Sequence, residues 1–461
     1  MKPILLIGAC LFWALAGMAW PVYVHLDIGE SRQVTIAGKT YQIKVHQLEY
    51  TKEPNNKVPA NIGSETLKEA RVTLSVDGDT ITLLQRAYQM PIVFKGLRLY
   101  VENTREWVEK ASKFQEIKYF PKAVKIAVAE AGKPWGPEQM HFPIVGYRWR
   151  SAMYNNTWGS LVPGKGVYYH HGEDYGVVYD TLDVQAILDG TVSTSPLPNG
   201  DGESNGLIIT HGADFSYRLS HMNIGTIMPE LTKGAAVKGQ QLLAKTGRTF
   251  LGKEKMGNPH LHVNFEYKGE AVSTFPYLVE AYFRDYSDNV LAIAGGYSYV
   301  MAGDEIELDA TRSLAREGHQ IKSYSWTLPN GKTIHTPQAK VRMDKPGTYA
   351  LTLDVLTDQG DRDRDFLQVY VYDEQKQNND YLGYFYHIPV RGTKAGDQVI
   401  IWRAYYGKTP IRIDFGDGSK PVKAGLKTPH VYKKSGIYTV TVTGQNPSER
   451  PTTEKMKIVV E

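Results

Sequence analysis

The stretch between His170 and His262 carries the residues best suited to chemistry. It opens with His170-His171-Gly172-Glu173-Asp174 and closes with Pro259-His260-Leu261-His262. Between them lie Ile209-Thr210-His211-Gly212 and Ser220-His221-Met222. Imidazole nitrogen and carboxylate oxygen both suit zinc, and three protein ligands leave a fourth position for water. Side chains on a strand alternate faces, so a strand reading puts His170, Gly172 and Asp174 on one face, with Gly172 leaving room for a metal. His260 and His262 likewise share a face. His221 falls at the end of a strand-like run, 215–222. There is no H-E-x-x-H helix motif, so a thermolysin-type arrangement is absent.

These motifs resemble those of the lysostaphin-like zinc metallopeptidases, which cut peptide bonds in peptidoglycan. The shared features occur in order: His170-x-Gly172-x-Asp174, Ala186-Ile187-Leu188-Asp189-Gly190-Thr191-Val192, His211-Gly212, His221, Val237-Lys238-Gly239-Gln240, Thr246-Gly247 and His260-Leu261-His262. The resemblance covers residues 135–285. It implies that His170, Asp174 and His262 hold one zinc ion and that His221 and His260 form the catalytic pair. It leaves open which of the two is the base. His171 is read as a neighbour of the site or an exposed residue, and His211 as structural. The chain departs from the family at Leu219, where a tyrosine is frequent, and in a long polar loop, 197–206. Both departures bear on substrate fit more than on metal binding.

With 461 residues the chain is too long for one core, and several domains are expected. A formal net charge of +4 is not a nucleic-acid signature, though it weakly favours an anionic wall. Abundant glycine and tyrosine and few apolar helical patterns suit a mainly β, multidomain protein. Residues 1–19 read as a secretory signal peptide, with Lys2 before an apolar run and Gly17-Met18-Ala19 before Trp20. The only cysteine, Cys10, lies in that run, so the mature chain holds no disulfide. No later stretch is long and apolar enough to span a membrane. The expected location is exported, periplasmic or secreted.

Residues 20–115 read as an N-terminal β-rich domain. Val22-Tyr23-Val24-His25-Leu26 alternates. A hairpin is expected over 33–49 around Ala37-Gly38-Lys39, and another over 71–84 around Asp77-Gly78. Residues 51–64 read as a loop and 97–101 as a strand. A short helix is expected over 104–114. The peptidase domain is expected over 120–285, with Tyr147, Trp149, Tyr154 and Trp158 read as partly buried loop anchors. Residues 290–373 resemble a PKD-type immunoglobulin-like sandwich, carried by Tyr324-Ser325-Trp326 and Pro346-Gly347-Thr348-Tyr349. A polar linker is expected over 374–380. Residues 386–461 resemble a second, diverged copy around Ile413-Asp414-Phe415-Gly416-Asp417-Gly418. Asp414 and Asp417 are read as turn-holding acids rather than metal ligands.

The sequence therefore points to an exported zinc endopeptidase acting on peptidoglycan cross-links, with glycan or protein contact through the PKD-like domains and no nucleic-acid partner. Two alternatives stay open: a non-catalytic wall-binding or scaffold protein, and a secreted protease acting on proteins. Because every candidate residue lies between 170 and 262, the region after Tyr286 is expected to be dispensable for metal binding.

Overall fold

The computed structural model describes residues 20–54, 65–111, 121–163, 167–373, 382–404, 410–445 and 449–461. The expected signal peptide with Cys10 and the linker expected over 374–380 lie outside them. The chain is mainly β, with short helices at Arg105–Ala111 and Phe275–Asp285.

The N-terminal unit packs two four-stranded antiparallel sheets against one apolar core. One sheet is the meander Ser31–Ile36, Lys39–Pro54, Glu65–Val76 and Asp79–Gln85. Its tight turns are Ala37-Gly38 and Asp77-Gly78, all four residues at positive φ, as a two-residue hairpin loop requires. The strand Lys39–Pro54 runs four residues into the expected loop. The other sheet orders Val22–Leu26, Val124–Glu130, Leu97–Thr104 and Ile92–Phe94. Val124–Glu130 falls within the segment expected in the peptidase domain, yet it pairs on both sides with N-terminal strands. Alternation explains why this strand serves two units. Val124, Ile126 and Val128 join the N-terminal core, while Ala127 and Ala129 join the next one.

That next core surrounds an antiparallel sheet in the order Ala236–Val237, Gly190–Thr194, Leu207–His211, Phe215–Ser220, His260–Tyr267, Glu173–Gly176 and Asn155–Asn156. The central strand His260–Tyr267 is flanked by Phe215–Ser220 and Glu173–Gly176, in a register that sets His262 opposite both Ser220 and Asp174. Chain neighbours distant in sequence thus meet across one strand. Tyr147, Trp149 and Trp158 are buried, and the first two belong to this core with Phe142, Tyr175 and Tyr282.

Two sandwiches follow. Trp326 on Ile321–Thr327 is fully buried, beside Leu351, Leu353 and Val355 of Gly347–Thr357. The second sandwich begins at Tyr384–Ile388 and ends with Pro451–Val460. The two are fused: Pro451–Val460 pairs in parallel with Gly347–Thr357 at Thr348 and Thr452. The carboxylates of Asp414 and Asp417 accept the Gly416 and Ser419 amides at 2.8 and 3.0 Å, so both hold turns.

Candidate active site

Asp174 is the hub of the site. Its Oδ1 lies 3.2 Å from His170 Nε2 and 2.8 Å from His262 Nδ1, while those two nitrogens are 3.2 Å apart. His170, Asp174 and His262 form a group able to hold a metal ion, with ligand atoms all within 4.8 Å of one another. Tetrahedral zinc with bonds of about 2.0–2.2 Å sets ligand-to-ligand edges of about 3.3–3.6 Å. The observed triangle is slightly tighter than that, and its donor set of two imidazoles and one carboxylate is the right chemistry. The residues present fit a zinc ion.

The local backbone differs from the simple strand reading. Regular pairing begins at Glu173, so His170 and Gly172 lie before the strand rather than on its face. The room beside Gly172 is not metal space. A Cβ there would stand 2.4 Å from the Val263 carbonyl oxygen and 2.8 Å from the His262 ring, so the missing side chain lets His262 pack against the backbone. His260 and His262 do share one face of their strand.

The second oxygen of Asp174 is held independently. Asn156 Nδ2 donates to Oδ2 at 2.8 Å, and the Tyr154 hydroxyl lies 3.4 Å from it. Such partners orient a metal-binding carboxylate. Sequence reasoning missed both, grouping Tyr154 with partly buried loop anchors; the short strand that pairs Asn156 with Asp174 gives no periodic signal. The neighbouring Glu173 is buried and ties in the approach: its Oε1 accepts the Thr157 hydroxyl at 2.8 Å and the Trp158 amide at 3.0 Å. Burial pushes this carboxyl up to about 8.

His221 and His260 stand beside this group, their ring centroids 4.2 Å apart. His221 lies just past its strand in a left-handed conformation, φ 70°. Its Nδ1 is 2.7 Å from the Thr249 carbonyl, and His260 Nδ1 is 2.7 Å from the Asn258 carbonyl. A carbonyl can only accept, so each imidazole carries its proton on Nδ1 and keeps a lone pair on Nε2. His260 Nε2 lies 3.6 Å from Asp174 Oδ1. Burial and the neighbouring imidazoles hold His221 well below the usual histidine range; burial also lowers His260, against the pull of Asp174. At Asp174 burial favours the neutral acid, but His170 and His260 reverse this and hold the carboxyl well below its usual range.

The long polar loop is built into the same scaffold. Asp201 accepts the Glu203, Asn205 and Gly206 amides, the Ser204 carbonyl accepts the His221 amide at 2.6 Å, and Asn205 Nδ2 donates to the Met222 carbonyl at 3.0 Å. Leu219 is a fully buried core residue. His171 is buried, not exposed, and stacks on Trp158 at 5.0 Å. His211 is remote, 2.6 Å from the Asp189 carbonyl through Nδ1.

Residues 168–274 match peptidase family M23, and residues 289–371 and 394–459 match PKD domains. Similar solved structures include a protein assigned as a glycyl-glycine endopeptidase, lytM, from Ruminococcus gnavus. It is 22% identical over 32% of this chain and 61% of that one, with a TM-score of 0.23. The M23 metalloprotease pseudoalterin, from the deep sea, is 18% identical over 29% of this chain and 73% of that one, with a TM-score of 0.20. SGBP-B of a mixed-linkage glucan utilization locus from Bacteroides ovatus, in complex with a mixed-linkage heptasaccharide, is 14% identical over 38% of this chain and 48% of that one, with a TM-score of 0.17. The chain thus carries a lysostaphin-like peptidase family M23 domain followed by PKD domains. Among the described residues no helix is long and apolar enough to cross a membrane.

Proposed function

We propose that this protein is an exported zinc endopeptidase that hydrolyses peptide bonds in peptidoglycan cross-links. The observation that carries the reading is the convergence of His170 Nε2, Asp174 Oδ1 and His262 Nδ1 beside the paired rings of His221 and His260. His170, Asp174 and His262 would hold one zinc ion, which supplies a Lewis acid for the scissile carbonyl and lowers the pKa of water toward about 7.

The chain's own residues then do the following. Asn156 and Tyr154 keep Asp174 turned so that Oδ1 faces the two ligand imidazoles. Thr249 and Asn258 fix the tautomers of His221 and His260, so both present an unprotonated Nε2. One of the pair takes the proton of the attacking water at Nε2. That same proton, kept at Nε2 of the first ring or passed to Nε2 of the other, then donates a hydrogen bond to the developing oxyanion or goes to the amine as its bond to the carbonyl carbon breaks. The low affinity of both rings for protons keeps them neutral before the reaction, as a base requires. The PKD domains would contact glycan or protein.

The test is mass spectrometry of fragments released from purified peptidoglycan, with and without a chelator. Chelator-sensitive release of new amino termini is expected. Digestion of casein without digestion of peptidoglycan would select a protease acting on proteins. Retained zinc without turnover of either would select a binding or scaffold role.

A further inference from the structure

By sequence alone, the region after Tyr286 is expected to be dispensable for metal binding. One short stretch of the peptidase unit, residues 150–156, argues otherwise. Arg150 is largely buried, its side chain 10% exposed, with φ 52°, a left-handed conformation uncommon for a residue with a side chain. Its guanidinium lies 2.8 Å from Asp365 and donates to the Gly295 carbonyl at 2.8 Å, both in the first PKD domain. It also donates to the Tyr88 hydroxyl of the N-terminal unit at 2.6 Å.

Three residues on, the Met153 carbonyl accepts the Tyr297 hydroxyl of the first PKD domain at 3.0 Å. The Met153 amide donates to Phe385 of the second sandwich at 3.2 Å. The Tyr154 ring then stands between Tyr384 of that sandwich, edge to face at 5.1 Å, and His260 at 4.8 Å. Its hydroxyl reaches Asp174 Oδ2, as does the Asn156 carboxamide. The stretch also presses on the strand that carries Asp174: a Cβ on Gly176 would stand 2.1 Å from the Tyr154 carbonyl oxygen.

We infer that both PKD domains are working parts of the metal centre, because they clamp residues 150–156 in the position from which Tyr154 and Asn156 fix Asp174. The inference rests on the reading of Asp174 as a metal ligand. Arg150 and Tyr384 are positioning residues: each acts through the stretch it holds. A carboxylate whose second oxygen is unheld rotates out of line, and partners of this kind typically account for about 10–100-fold in metal affinity.

The test uses the full chain with Tyr384→Ala, Tyr384→Phe and Asp365→Asn, and Leu426→Ala as an exposed control in the second sandwich. Zinc affinity is read by chelator competition, and amide exchange of Asp174 and Tyr175 is read without metal. Tyr384→Ala is expected to bind zinc about 10–100-fold more weakly and to exchange faster at both amides, with its thermal transition intact. Tyr384→Phe keeps the ring and is expected to match the wild type, as is Leu426→Ala. Asp365→Asn should resemble Tyr384→Ala; if it fails to fold, Tyr384→Ala alone decides. Unchanged zinc affinity and unchanged exchange in folded Tyr384→Ala would overturn the inference. A wild type that binds no zinc would remove the metal reading, and exchange would then decide the clamp by itself: unchanged protection overturns it, faster exchange upholds it.

Discussion

The Thr249 carbonyl oxygen lies 2.7 Å from Nδ1 of His221, so it accepts the Nδ1–H and fixes the tautomer of the ring. Asn258 does the same for His260 from the other end of the same loop. The two histidines nearest the metal-binding group therefore take their tautomers from one segment. Both contacts are backbone carbonyls, which hold the proton on Nδ1 and leave Nε2 available, while burial keeps the rings neutral.

Removal of individual histidines should separate binding from turnover. His262→Ala removes one of three ligand atoms and should lose both zinc and activity. His221→Ala and His260→Ala leave His170, Asp174 and His262 in place and should keep the zinc. Each should still lose about 100- to 10,000-fold in rate, the usual contribution of a positioned acid or base. Elemental analysis after gel filtration, with turnover of a short peptide, distinguishes the cases. Zinc lost from His260→Ala but kept in His262→Ala would reverse the assigned roles.

Asn156→Ala tests the support of the carboxylate. It removes the 2.8 Å donor to Asp174 Oδ2 while leaving every ligand atom. Zinc affinity should fall about 10–100-fold. Asn156→Asp should be worse, since it sets a second carboxylate against the first. Titration calorimetry with zinc reads both, and equal affinity in all three proteins would mean that the Asn156 carboxamide does not position Asp174.

The parts of this architecture that were legible in the sequence are those written in local chemistry. Asp77-Gly78 marks a turn because few residues tolerate two positive φ values in a row. Trp326, Leu351 and Leu353 read as core because alternation and size agree. The five polar residues of the site stood out because His170-x-Gly172-x-Asp174, His221 and His260-Leu261-His262 follow the spacing and order of a known metallopeptidase pattern. What was not legible depends on pairing between distant strands. Val124–Glu130 looks like any apolar strand, and nothing in it says that it pairs with Val22–Leu26. Asn156 becomes a partner of Asp174 only through a two-residue ladder, and Tyr384 reaches Tyr154 only once the second sandwich is docked. Gly172 was noticed for its position, but its reason, the packed His262 ring, is visible only in three dimensions.

The fusion of the two sandwiches includes a buried ion pair, Lys457 Nζ to Asp363 Oδ1 at 2.7 Å. Breaking such a pair leaves one charge stranded and typically costs about 3–5 kcal/mol, whereas replacing both members costs little. Lys457→Ala should therefore lower the C-terminal transition sharply in calorimetry. The double substitution Lys457→Met with Asp363→Asn should recover most of the loss, because the Ala292 amide that donates to Asp363 at 2.8 Å keeps an acceptor. A double variant no better than the single would mean that the charge pair itself, not the stranded charge, holds the two domains together.

The contact between the N-terminal unit and the peptidase unit should weaken as pH rises from about 5 to 8. Glu102 lies fully buried there; one carboxylate oxygen accepts the Ser273 amide, and Oε2 has no partner among the described residues. Burial pushes its carboxyl up to about 7, against the opposing pull of Lys125 and the Ser273 bond, with Glu270 adding to the rise. A carboxyl raised in the folded state favours folding most below its unfolded value, near 4.3, and that contribution is lost as pH climbs through about 7. The interval from about 4.3 to about 7 sets an upper bound of about 4 kcal/mol on the loss. Glu270 acts in a separate window: its bond to His25, with that to Lys125, holds it down to about 2, so its contribution fades only as pH falls below about 4. Glu102→Gln fixes the neutral form in place. It should match the wild type at pH 5, exceed it at pH 8 and flatten the slope between. Thermal unfolding of both proteins across that range gives the answer, and parallel curves would show that Glu102 does not titrate in the folded chain between pH 5 and 8.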